Sequence, residues 1–237
     1  MLKKVALVTD ADQGIGIDIV KTLSKRFNGV FYFTSRDPEK GLLATAALQK
    51  IGCNVEYFHL DISDRESIIR FRDFVVQNYW GIDTLINNVA IDNGAYECES
   101  FEKSKRIVTD YYFNFVMIEE LLFPLLVDNA RVIYVSKQSD VSCVRNEYWH
   151  ERLSMKHLRE ADINDFLVWY LEAIKEGMFN PADIVEDGMV APYRVAIVAL
   201  GLLVTLQRKK LQSRSICVEY FSPKWSFKNS SQLTALL

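Results

Sequence analysis

Apolar and polar positions along the 237 residues of the chain switch repeatedly between two periods. The unbroken apolar run KVALVT at 4–9 reads as a strand buried on both faces. Ile15, Ile19, Leu23 and Phe27 then recur at helical spacing with polar residues between them. VFYFTSR at 30–36 predicts a second strand, and 38–50 a second helix with Pro38 near its start. NVEYFHLD at 54–61 predicts a third strand, followed by a capped helix that opens at SDRES. DTLINN at 83–88 predicts a fourth strand, 101–126 a long helix, RVIYVS at 131–136 a fifth strand and ICVEYF at 216–221 a sixth. The apolar run 195–206 falls short of the ~20 residues that span a bilayer, and reads as a buried helix.

Strands that alternate with helices of this length imply a parallel sheet with right-handed crossovers, covered on both faces. The expected fold is a Rossmann-type α/β domain, with 1–237 as a single domain. One interval breaks the rhythm. Residues 140–190 are rich in charge and aromatic rings, and predict two short helices near 147–158 and 163–176, inserted over the rim of the sheet.

Composition narrows the function classes. A hydrophobic fraction of 49% and a charged fraction of 25% are ordinary for a globular protein with a sizeable core. The net charge is −3, with Lys and Arg spread along the chain, which argues against a nucleic acid or an anionic membrane as partner. Cys53, Cys98, Cys143 and Cys217 show no CxxC spacing and read as reduced thiols of a cytoplasmic protein. His59, His150 and His157 form no metal-binding pattern. The apolar run near the N-terminus is too short for a signal peptide.

Gly14-Ile15-Gly16 follows the first strand, LDIS ends the third, and NN ends the fourth. With VALVTDADQGIG, FTSRD, FHLDISD, DTLINNVA and the insertion before Tyr193, the chain resembles the short-chain dehydrogenase/reductase family from about Val5 to Trp225. Within that family it is most similar to the monomeric carbonyl reductases. The resemblance implies the doubly wound strand order 3-2-1-4-5-6, an NADP(H) cofactor and a small carbonyl substrate. It assigns Gly14, Ile15 and Gly16 to the pyrophosphate, Arg36 to the 2′-phosphate, Asp61 and Ile62 to the adenine ring, and Asn88 to the motif lining the cofactor. It also implies a seventh strand, and none is expected within these 237 residues. The strand at 216–221 is then expected to be an apolar edge, covered by the tail 222–237 or by self-association or another protein partner.

The departures from the family concentrate at the site. Asp10 stands where the turn's first glycine is expected, and Gln13 where carbonyl reductases carry a lysine. NNAG reads NNVA, with Val89 and Ala90, and the Pro-Gly after the sixth strand reads Pro223-Lys224. The family's proton donor is present as Tyr193, but the lysine four residues later is Ile197. The serine aligns with Lys137, next to Ser136, and the asparagine with Asp110. Two readings follow. In one, a reductase scaffold acts by binding a ligand or partner without turnover. In the other, an NADPH-dependent carbonyl reductase uses Tyr193 with Lys137 as the neighbouring cation, which would lower the phenol from its usual ≈10 by roughly 1–3 units. A relic scaffold with no molecular function is a third.

Overall fold

The computed structural model describes residues 3–88, 100–185 and 189–222. Val89, Ala90, Cys98, Pro223, Lys224 and the rest of the tail, all invoked in the sequence reading, lie outside the described residues. In chain order the elements are β1 (Lys4–Val8), α1 (Gly14–Leu23), β2 (Gly29–Ser35), α2 (Pro38–Lys50), β3 (Glu56–His59), α3 (Arg65–Asn78) and β4 (Ile82–Asn88). There follow α4 (Phe101–Val108), a π turn (Thr109–Phe113), α5 (Asn114–Leu122), β5 (Leu126–Val135), α6 (Glu147–Leu153), α7 (Glu160–Lys175), α8 (Ala191–Leu211) and β6 (Cys217–Phe221). The chain divides into two compact units, Met1–Ala90 with Phe115–Ser136 and Leu211–Leu237, and Ile91–Asn114 with Lys137–Lys210.

The first unit holds a parallel sheet of six strands in the order β3-β2-β1-β4-β5-β6. This is the Rossmann-type order that the resemblance implied. Residues alternate between the two faces of the sheet because side chains in a strand have period two. On one face Val8, Phe31, Phe33, Ile86 and Ile133 join Ile19 and Leu23 of α1 and Leu48 of α2 in a common core. On the other, the Phe71 ring of α3 lies 6.3 Å from Tyr32 and 5.0 Å from Phe58. Phe115 of α5 meets Tyr134 edge to face at 5.1 Å. Burial, followed by a 2.8 Å hydrogen bond to the Tyr79 hydroxyl, holds the Tyr32 phenol above its ordinary pKa.

Local chemistry sets the helix starts. Asp37 accepts from the N–H groups of Glu39 and Lys40 while Pro38 opens α2, and Asp64 accepts from the Glu66 N–H to start α3. Several expected boundaries move. The expected helix at 101–126 is interrupted by the π turn and ends before Pro124, which sits in a 3-10 turn that cannot continue it. The fifth strand accordingly begins at Leu126 rather than near 131. Among the described strands β6 lies at one edge, tied to β5 by the Arg131–Glu219 ion pair.

In the second unit, α6 stops at Leu153 and α7 starts at Glu160, so the inserted pair is offset from the expected 147–158 and 163–176. Asp162 explains the early start, because its carboxylate accepts from the Arg159 N–H at 3.0 Å and caps the helix. The Arg152 guanidinium contacts Asp162 at 3.1 Å and lies 5.3 Å from the Trp149 ring. Trp149, Phe166 and Trp169 pack around that pair, with ring separations of 5.5 and 5.6 Å from Trp149. The apolar stretch 195–206 lies inside α8, and among the described residues no helix is long and apolar enough to cross a membrane.

Phe71 is fully buried, so Phe71→Ala should lower stability by about 3–5 kcal/mol in urea unfolding. Acid should act on the second unit. The Arg159 side chain foremost, with its backbone N–H and Arg152, holds the Asp162 carboxyl down at about 2. A carboxyl depressed from its unfolded value near 4 stabilises the fold fully above about pH 4, and that contribution is lost as pH falls through about 2. Near-ultraviolet circular dichroism of the clustered tryptophans should report loosening across this window. In Asp162→Asn that acid step should be absent.

Candidate functional site

The residues assigned to the cofactor lie at or just beyond the carboxyl ends of β1, β2, β3 and β4, where ligands of open parallel sheets bind. Their geometry starts from one buried exchange. The Thr9 hydroxyl donates to the Asn88 carbonyl at 2.9 Å and accepts from the Asn88 N–H at 2.9 Å. The Asn88 side-chain amide then donates to the carbonyls of Thr9, at 3.1 Å, and Asp10, at 2.8 Å. The Ala11 N–H donates to the Thr34 carbonyl at 2.7 Å, so the loop after β1 is tied to both neighbouring strands. Asn88 thus has a defined task, which is to hold the loop.

Asp10 sits at φ 47° and Gly14 at φ 57°. The left-handed region is open to glycine and tolerated by aspartate, so the turn keeps the backbone shape that the missing first glycine would take. Gly16 is required for a different reason. A Cβ there would lie 2.7 Å from the Ala11 Cα and 2.8 Å from the Asn88 amide nitrogen. Gln13 precedes α1 without capping it through its side chain, and no acid lies in the first turn, so that end of the helix presents its N–H groups and positive dipole to an anion. Ile15 is half-buried and packs against the core, which leaves its backbone as its contribution to the loop.

Charge around the loop is mixed. Arg36 is exposed just beyond β2, and its guanidinium forms no ion pair among the described residues. Asp12, which the sequence reading passed over, accepts from the Ser35 hydroxyl at 2.8 Å. Burial first, and then the carboxylates of Asp12 and Asp37, raises the Tyr57 phenol above its ordinary pKa. Asp61 accepts from both the N–H and the hydroxyl of Ser63, at 2.9 and 2.7 Å, which shapes the turn carrying Ile62. The loop backbone and Arg36 therefore fit a dinucleotide phosphate, and the acids Asp10 and Asp12 oppose it.

The positions assigned to catalysis fall in the second unit and are described by themselves. Tyr193, in the first turn of α8, is buried, and its ring meets Tyr111 edge to face at 5.1 Å. Ile197, one turn later, is fully buried. Lys137 is exposed just beyond β5, whereas Ser136 and Ser139 are buried. Asp110 lies in the π turn, with the Arg106 guanidinium at 3.8 Å and the Asn114 amide donating at 3.5 Å. Asn114 is the side chain nearest in type to the expected asparagine, displaced by one helical turn.

Sequence reading also missed a polar cluster beside the tyrosine. Arg194 is buried, with its Nη1 3.5 Å from the Ser139 hydroxyl and 3.8 Å from the Cys143 sulfur. The Ser139 hydroxyl is thereby engaged by Arg194 and donates to Cys143 at 3.3 Å. A charged residue at the head of the apolar run in YRVAI was the available signal.

Comparison with known proteins agrees with this architecture. A family model described as short chain dehydrogenase matches residues 4–144. Human NADPH carbonyl reductase 3 is 29% identical over 215 residues, covering 89% of this chain and 76% of the relative. Bovine NADPH carbonyl reductase 1 is 31% identical over 212 residues, with the same coverage of 89% and 76%. Among solved structures, salutaridine reductase from Papaver somniferum superposes with a TM-score of 0.82 at 21% identity, covering 98% of this chain and 93% of that one. The chain belongs to the short chain dehydrogenase family. Its curated relatives place it beside the carbonyl reductases.

The tight approach at Gly16 can be tested directly. Gly16→Ala should destabilise the protein by about 1–3 kcal/mol in urea unfolding, because the new methyl group presses on backbone at Ala11.

Proposed function

We propose that this chain is a carbonyl-reductase-like protein of the cytoplasm that binds a ligand or a protein partner without turning over carbonyl substrates. The observation that carries this reading is Ile197, fully buried one turn beyond Tyr193. A phenol with an ordinary pKa near 10 needs a neighbouring cation to exchange its proton at neutral pH. Isoleucine supplies neither charge nor a hydrogen bond. At Asp110 a carboxylate engaged by Arg106 and Asn114 stands in place of a neutral amide. Each loss from such a set costs about 10²–10⁴ in rate, though not additively.

NADP(H) is the ligand that the loop suits best. When bound, it would supply a hydride. Gly14, Ile15 and Gly16 would hold the pyrophosphate through backbone N–H groups, Arg36 would meet the 2′-phosphate, and Asp61 and Ile62 would border the adenine. Asn88 would act through the loop it anchors. A protein partner would meet the edge of β6.

A second reading keeps the chemistry. NADPH carbonyl reductases are among the relatives, and the exposed ammonium of Lys137 lies at the end of β5. In that reading the Tyr193 hydroxyl gives its proton to the oxygen of a small carbonyl substrate, and Lys137 stabilises the phenolate left behind.

Two measurements separate these readings. NADPH consumption with quinones and reactive carbonyls should not exceed the rate without protein. Turnover that falls at least ~10²-fold in Tyr193→Phe and in Lys137→Met would establish the second reading instead. Titration calorimetry should show that Asp10→Gly with Gln13→Lys binds NADPH about 10–100-fold more tightly than the natural chain, as removal of one negative and gain of one positive charge requires. No binding by either protein at millimolar cofactor would remove the nucleotide from the account.

A further inference from the structure

α2 is apolar on two faces, and among the described residues only one of them is covered. Gly41, Ala44 and Leu48 are buried toward the sheet. On the outward side Leu42 is 63% exposed and Leu43 72%. Ala46 and Ala47 continue that face one turn further, also exposed, and Glu39 and Lys50 close it at either end. Single exposed apolar side chains are ordinary, but Leu42 with Ala46 and Leu43 with Ala47, two adjacent i, i+4 pairs, form a stripe of the kind a helix presents as a packing surface.

We propose that this face is a homodimer interface, in which α2 of one copy packs antiparallel against α2 of a second. The stripe is complementary to itself in that arrangement. A two-fold axis between Ala44 and Thr45 sets Leu42 against Ala47 and Leu43 against Ala46 of the other copy, so large residues meet small ones throughout. The alanines let the helix axes approach toward the lower end of the usual ~8–10 Å. The same axis brings Glu39 opposite Lys50 at both ends. Neither residue forms an ion pair within its own chain among the described residues, so both are available across the axis. The two helix dipoles also oppose favourably. A parallel pairing would instead set Glu39 against Glu39 and leucine against leucine. Ile51, 49% exposed at the end of α2, extends the apolar surface.

One short helix per copy buries less than the ~800 Å² per partner of a standard interface, so the dimer is weak, with a dissociation constant on the order of tens of micromolar. Sedimentation velocity of the full chain between about 5 and 500 μM, the range that brackets a weak interface, should show a monomer–dimer equilibrium. Leu42→Lys with Leu43→Lys should keep the thermal midpoint of the parent, since both side chains point outward, and weaken the dimer at least ~10-fold. Glu39→Lys and Lys50→Glu should each weaken it about 3–10-fold at low salt, and the two together should restore it. A chain that stays monomeric across the range overturns the proposal, as does a dimer indifferent to the two lysines. Failure of the double charge exchange to restore association overturns the antiparallel arrangement.

Discussion

Thr9 and Asn88 decide where the sheet stops and the loop begins. Two reciprocal hydrogen bonds join the ends of β1 and β4, and the Asn88 amide spends both of its protons on carbonyls of Thr9 and Asp10. These groups are buried, and a buried polar atom left unpaired costs about 1–3 kcal/mol, so the arrangement admits little variation. The same amide nitrogen is one of the atoms that a side chain at Gly16 would strike. One residue therefore fixes both the path of the loop and the closeness with which α1 can pack on it. The path of this loop therefore follows from packing within the sheet and α1.

Backbone shape and chemistry place different demands on a side chain. A backbone position can be held by many residue types, as Asp10 shows by adopting the turn of a glycine at φ 47°. A proton-transfer set cannot be rebuilt so freely, because charge must sit within a few ångströms of the phenol it serves. Ile197, fully buried one turn beyond Tyr193, suits the helix and offers no charge. Asp110 lies in a π turn, a distortion that often marks functional helices, and Arg106 engages its carboxylate there. Arg194 brings a buried guanidinium to Ser139 and Cys143, a polar contact with no counterpart in the expected set.

The outward face of α2 follows a different logic from the site. Its inner residues were selected by the sheet, and its outer ones by nothing within the chain that the described residues show. Helices apolar all round are stable where both sides are covered.

The order of strands and helices could be read from periodicity alone, since a continuous β-branched run and an i, i+3, i+4 stripe each have one stable solution in water. Glycine positions and the helix starts at Asp37 and Asp64 were equally plain. Boundaries set by distant contacts were not. The π turn, the early start of β5 and the offset of α6 and α7 depend on which backbone groups find partners across the fold. Asp12 with Ser35, and Arg194 with Ser139 and Cys143, could not be paired from the chain, because they lie 23 and about 50 residues apart. Local sequence determines what each segment can form, because its periodicity and caps act within a few residues. Only the tertiary structure decides which side chains share a site, because burial and hydrogen bonding are settled between segments that the chain itself keeps far apart.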